Sequence, residues 1–198
     1  MTAIDLSGSV GLAALYLLTA NILLGLLISV RYNPWTRWPH RRINYFRVHN
    51  WTGYLALAVA GLHPVLLLFS STAGFHLVDL LYPVHSPKQP VINTLGACAF
   101  YLLTLVVVTS CFRPRLSRSV WKRLHYVAYA TALLFFIHGI WTDPTLEGKP
   151  LDPIDAEKVS VELCAMIVVV ATALRARWAL RRRAAQRVMS APPSSIAA

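Results

Sequence analysis

Carboxylates are scarce in this chain. Only 8 of its 198 residues are Asp or Glu, against 19 Lys and Arg, giving a formal net charge of +11. Cysteine is rarer still. Cys98, Cys111 and Cys164 lie in apolar runs without CxxC or CxxCH spacing, which excludes a disulfide framework, a cysteine zinc site and a covalently attached c-type haem. None of the nine glycines forms GxGxxG or a Walker loop, so no nucleotide-binding motif is present. The tight metal spacings HExxH and HxxxH are missing too. Charged residues make up 14% of the chain and hydrophobic ones 56%, a balance unlike that of an ordinary water-soluble domain.

What is present is apolar sequence gathered into long runs. Five of them, at about 9–30, 44–69, 91–112, 120–141 and 159–180, reach the roughly 20 residues that a helix needs to cross a bilayer. Stretches such as LALAVAGLHPVLLLF lack the alternation of a barrel strand, and only helices or closed barrels satisfy their backbone in lipid. The expected fold is therefore all-α, a polytopic transmembrane helical bundle of five spans. The first run has no basic segment before it and is not read as a cleaved signal peptide. Residues 1–187 are expected to form one transmembrane domain, and 188–198 (VMSAPPSSIAA) a disordered tail. In the loop over 70–90, GFHLVDLLYPV is expected to form a short surface helix. The three cysteines are read as small core residues.

The charges are segregated. Residues 31–47, 113–123 and 175–187 hold 16 of the 19 basic residues and no acidic one, whereas all eight acidic residues fall in the remaining parts of the chain. Positive residues face the cytoplasm, so the expected arrangement has the N-terminus outside, the C-terminus inside and 70–90 and 142–158 as outer loops, in a bacterial inner membrane. Anionic lipid, and no nucleic acid, is the expected partner of the basic loops.

Four histidines interrupt these apolar runs, and imidazoles in such places mark ligand or proton-pathway roles. His49 and His63 are 14 steps apart, close to four helical turns, so both point to one side, roughly 21 Å apart along the axis. Gly53, Ala56 and Ala60 between them form a stripe with almost no side-chain bulk, which suits a wide flat ligand such as haem. His125 and His138 are 13 steps apart, roughly 20 Å along the axis but roughly 140° apart in azimuth, so a π-bulge, a local distortion or different directions of approach is expected. Matching depths pair His49 with His125 and His63 with His138, as two bis-histidine haems b held in a four-helix core, with no open coordination position. The alternatives at this point are four histidines satisfied by neighbouring carbonyls or hydroxyls in a structural or assembly protein without haem, and a zinc or copper site, disfavoured because no Cys, Asp or Glu joins any histidine.

Two segments carry a family resemblance: RVHNWTGYLALAVAGLH at 47–63 and WKRLHYVAYATALLFFIHG at 121–139. They resemble the histidine helices of the ferric reductase-like transmembrane domain family, shared by ferric reductases, NADPH oxidases and the haem-binding membrane subunit of bacterial methionine-sulfoxide reductase systems. The resemblance covers about residues 10–141, and it implies His49 and His125 as inner haem ligands, His63 and His138 as outer ones, and Gly53 four residues after the inner ligand. It also implies that the unequal spacings of the two helices are tolerated. Many relatives have six spans and a cytoplasmic FAD- and NADPH-binding region, neither of which is expected here. Quinol-linked cytochromes b have similar histidine spacing and are the nearest other group.

By depth, Arg47, Arg118, Lys122 and Arg123 are candidates for the inner haem propionates. His76 and His85 fall near an outer acceptor site, and His40 reads as a surface residue. Tyr126 and Tyr129 read as packing residues, Asn21 needs a partner inside the bundle, and Pro64 should bend its helix near Ala60. The expected function is that of an oxidoreductase component: a dihaem cytochrome taking electrons from a cytoplasmic flavoprotein or a membrane quinol to an outer acceptor.

Overall fold

A computed structural model describes residues 2–30, 44–143, 145–146 and 155–190, with side chains up to 187. The basic stretch over 31–43, with Trp35, Trp38 and His40, lies outside the described residues, as do 191–198 of the expected tail.

The elements in chain order are α1 (Ala3–Ser29), α2 (Tyr45–Leu67), α3 (Leu77–Leu81), α4 (Pro90–Cys111), α5 (Arg118–Trp141) and α6 (Ala156–Ser190), with 3-10 turns at Pro83–His85 and Arg113–Arg115. Local chemistry sets several of the starts. Thr2 and Asp5 form a reciprocal capping box on α1, the Asp5 amide donating to Thr2 Oγ1 at 3.1 Å and the Thr2 amide to Asp5 Oδ2 at 2.7 Å. Asn44 accepts from the Arg47 amide at the start of α2, and Ser117 from the Val120 amide at the start of α5. Pro90 opens α4, where its missing N–H costs nothing. The surface helix expected within 70–90 is α3.

The expectation of five spans is corrected to four. Among the described residues, α1, α4, α5 and α6 are the helices both long and apolar enough to cross a membrane. At 23 residues α2 has the length, but Arg47, His49, Asn50, His63 and Pro64 dilute its apolar content. The very residues that make α2 a candidate site helix remove it from the set of spans. Pro64 does not break the helix either, which continues through it to Leu67.

Packing divides the long helices into two antiparallel pairs, α1 with α2 and α4 with α5, while α6 leans on α1 and α5. One core cluster, Leu15, Ala132, Phe136, Val161 and Val168, joins α1, α5 and α6. Another, Ala14, Leu18, Ala60 and Leu103, joins α1, α2 and α4. Around the outside, Leu163, Ile167, Val170 and Leu174 leave a ridge of α6 exposed, as expected where lipid rather than water is the neighbour. Cys98 and Cys111 are exposed as well, so they are not core residues. The helices α2 and α5 are not packed on one another as α1 and α2 are. The gap between them holds the candidate site.

Candidate functional site

Across that gap the four histidines meet in two pairs. The ring centres of His49 and His125 are 6.1 Å apart with planes at 71°, and those of His63 and His138 are 6.3 Å apart at 74°. The helix α5 is α-helical from Arg118 to Trp141, so of the three ways to meet the azimuthal mismatch of its histidines the π-bulge is not used.

Three of the four imidazoles are anchored through Nδ1 to a neighbouring helix. His49 Nδ1 lies 3.0 Å from the Asn21 carbonyl oxygen, His138 Nδ1 2.8 Å from that of Ile92, and His63 Nδ1 2.7 Å from that of Ser7. A carbonyl accepts only, so in these three rings the proton sits on Nδ1 and the Nε2 lone pair is free. Ser7, almost fully buried, also donates its hydroxyl to the His63 carbonyl at 2.8 Å. His125 differs: its Nδ1 has only Ser110 Oγ, at 3.4 Å. No hydrogen bond joins the two rings of either pair among the described residues, and none is made at Nε2.

Glycines give these rings their room. A Cβ on Gly11 would stand 2.9 Å from His63 Nδ1, one on Gly25 3.2 Å from His49 Cε1, and one on Gly96 2.8 Å from His138 Cε1. The legible signal was an equality of interval: Gly11 and Gly25 are 14 residues apart on α1, as His49 and His63 are on α2. Gly53, expected to face a haem, lines the cavity beside His49 and His125, but its closest neighbour is Asn21 Nδ2, 3.3 Å from a built Cβ. Asn21 finds the partner that its burial demands, donating to the His49 carbonyl and to Thr52 Oγ1.

A cavity of about 430 Å³ adjoins His49 and His125. Arg118 and Lys122 line it as anticipated, joined by Arg113 and Arg175, which were not; Arg47 and Arg123 do not line it. The Arg113 guanidinium lies 4.7 Å from the ring centre of Trp121, and that ring stacks on His125 at 5.0 Å and 20°. The Trp121 indole N–H is buried without a hydrogen-bond partner. A second cavity, of about 180 Å³, adjoins His63 and His138 and is lined by Asp79, Glu157 and Lys158 among others. Lys158 is buried and donates to the Ile140 and Thr142 carbonyls at 2.6 Å each, at the C-terminal end of α5, where a cation is favoured. His76 and His85 line neither cavity: His76 precedes α3 with its amide bonded to Asp79, and His85 packs on Tyr82. Among the described residues no three His, Cys, Asp or Glu side chains converge on a metal position.

An all-α bundle of membrane-length helices defines an integral membrane protein, here one with two facing imidazole pairs inside it. The family model for the ferric reductase-like transmembrane component matches residues 10–136, and the chain belongs to that family. Membership supports a general electron-transfer, oxidoreductase-related role. No curated protein and no solved structure matches the chain.

Proposed function

We propose that the protein is a b-type dihaem cytochrome that carries electrons between the two ends of the bundle. Its donor is a cytoplasmic flavoprotein or a membrane quinol, and its acceptor lies on the opposite side. The carrying observation is the separation within the histidine pairs. A metal–imidazole bond is about 2 Å long and the ring centre lies about 1 Å further back, so two imidazoles clasping one ion stand about 6 Å apart. The measured 6.1 and 6.3 Å match that requirement. A haem iron takes four nitrogens from its macrocycle and needs only two from the protein, which suits sites made of two histidines rather than three or four ligands.

When bound, haem supplies reversible one-electron chemistry at iron. The chain's part is to hold and tune. His49 with His125, and His63 with His138, would hold the group through Nε2, and the Nδ1 bonds of His49, His63 and His138 lock tautomer and ring orientation, as partners of metal-bound histidines do. Held by two imidazoles, each group would serve electron transfer rather than oxygen chemistry. Arg118 and Lys122 are placed to receive a carboxylate such as a propionate. Arg47 and Arg123, outside the cavity, serve as headgroup anchors. The end of the bundle that carries Arg113, Arg118, Lys122 and Arg175 faces the cytoplasm of a bacterial inner membrane.

A pyridine haemochrome assay with protein quantification tests the reading. Two b-type haems per chain are expected. A colourless preparation would identify a structural or assembly protein instead, and one haem per chain would remove the dihaem reading. Reduction by quinol alone, without any flavoprotein, would place the chain with the quinol-linked cytochromes.

A further inference from the structure

The two histidine pairs are alike in separation but not in surroundings. His63 and His138 each have Nδ1 against a backbone carbonyl, at 2.7 and 2.8 Å. Such a bond draws the proton outward and makes the ring a more basic, more electron-rich ligand, which favours the oxidised, more positive metal. At the other site His125 has only a hydroxyl at 3.4 Å, a longer and weaker contact than the carbonyl bonds of the other three rings. Its ring is held by contact instead, flat against Trp121, over which lies the Arg113 guanidinium. Because the Trp121 N–H has no partner, hydrogen bonding does not fix this indole; its contacts with Arg113 and His125 do.

The charges run the same way. Arg113, Arg118, Lys122 and Arg175 line the cavity at His49 and His125, which no carboxylate lines. The cavity at His63 and His138 has Lys158, but with Asp79 and Glu157. Positive charge near a metal favours its reduced form, and it does so more strongly in a low-dielectric interior than in water.

Resting on the dihaem reading above, we propose that Arg113 and Trp121 act through His125 as potential-setting residues, holding the metal clasped by His49 and His125 at a higher reduction potential than the metal clasped by His63 and His138. They are positioning residues, since neither supplies a ligand. One consequence is that outward transfer runs uphill between the two sites and has to be drawn by the acceptor.

The test is a potentiometric titration of the purified, haem-loaded full chain, followed by its absorption bands. Two waves are expected. His63→Ala, which spares the Arg113 end, should retain the upper one. Arg113→Gln should lower the upper wave and leave the lower one in place, and Arg113→Lys should restore most of the shift. Trp121→Leu should lower it as well, while Trp121→Phe, which keeps a ring against His125, should lower it less. Retention of the lower wave in His63→Ala with an unchanged low-spin spectrum and loss of the upper one, or an upper wave unmoved in both Arg113→Gln and Trp121→Leu, would overturn the proposal. If the two glutamine and leucine variants lose haem, the comparison of Arg113→Lys with Trp121→Phe decides it: an unshifted upper wave in Trp121→Phe counts against the stack. A chain without haem in the haemochrome assay fails the dihaem reading itself, a result separate from every shift named above.

Discussion

Gly96 and His138 approach so closely that a Cβ on the glycine would stand 2.8 Å from Cε1 of the imidazole. Real Cβ contacts do not tolerate that distance, and the neighbour is a ring anchored to the Ile92 carbonyl rather than a free side-chain end. Gly96→Ala should therefore tilt His138 off its position and lower haem occupancy at the His63 pair, at a cost of about 1–3 kcal/mol for overpacking. Gly8→Ala is the contrast. Nothing lies within 4 Å of a Cβ there, although Gly8 lines the cavity at His63 and His138, so in the haem-free chain the substitution should stabilise α1 by about 0.5–1 kcal/mol through helix propensity. Thermal unfolding in detergent, read beside haem content, checks both.

Removing the histidines one at a time tests the pairing. His49→Ala and His125→Ala should each abolish the same haem, and His63→Ala and His138→Ala the other, leaving about half the haem in every case. Within a pair the double variant should do no further damage, because one lost ligand already opens the site. Where packing retains a five-coordinate haem, its spectrum should turn high-spin. Unchanged low-spin spectra in His49→Ala and His125→Ala together would refute the ligand assignment.

Asn21 ties α1 to α2 beside the same histidine, through the His49 carbonyl and Thr52. Asn21→Leu should remove the tie from α1 while Thr52 Oγ1 still serves that carbonyl, costing about 0.5–1.5 kcal/mol, and loosen the His49 site while sparing the His63 site. Gly53→Leu should give the same selective defect, because the new side chain would press on the Asn21 carboxamide. Equal loss at both sites, measured by haem spectra of the single-site histidine variants, would speak against a local clamp.

The sequence carries no nucleotide-binding motif. NADPH alone should accordingly leave the purified, haem-loaded chain oxidised, and a flavin reductase added with NADPH should reduce it. Stopped-flow absorbance distinguishes the two, and rapid reduction by NADPH without a flavoprotein would contradict the expectation.

Helical character, the identity of the four site histidines and the separation of basic from acidic ends were legible along the chain, because each depends on what a residue is and on its interval from the next. The number of membrane-length apolar helices was misjudged at α2. That run has the length to span, but Arg47, His49, Asn50, His63 and Pro64 lower its apolar content. What stands nearest Gly53 was not legible in α2 alone. Its neighbour is Asn21 from another helix, 32 positions earlier in the chain, and no spacing rule within α2 reaches that far.

By itself the amino-acid sequence determined that the chain makes long apolar helices, that histidines recur on two of them at nearly matching intervals, and that its positive charge collects in three stretches. These follow from local propensity and periodicity, which act over a few turns. Only the tertiary structure decided which glycine faces which imidazole, that three Nδ1 atoms meet carbonyls while His125 meets a hydroxyl and a stacked indole, and that Arg113 and Arg175 rather than Arg47 and Arg123 line the cavity. Such contacts join residues distant in the chain. They are set by how the pair α1–α2 sits against the pair α4–α5, a choice made by the packing of all the long helices together and not by any one of them.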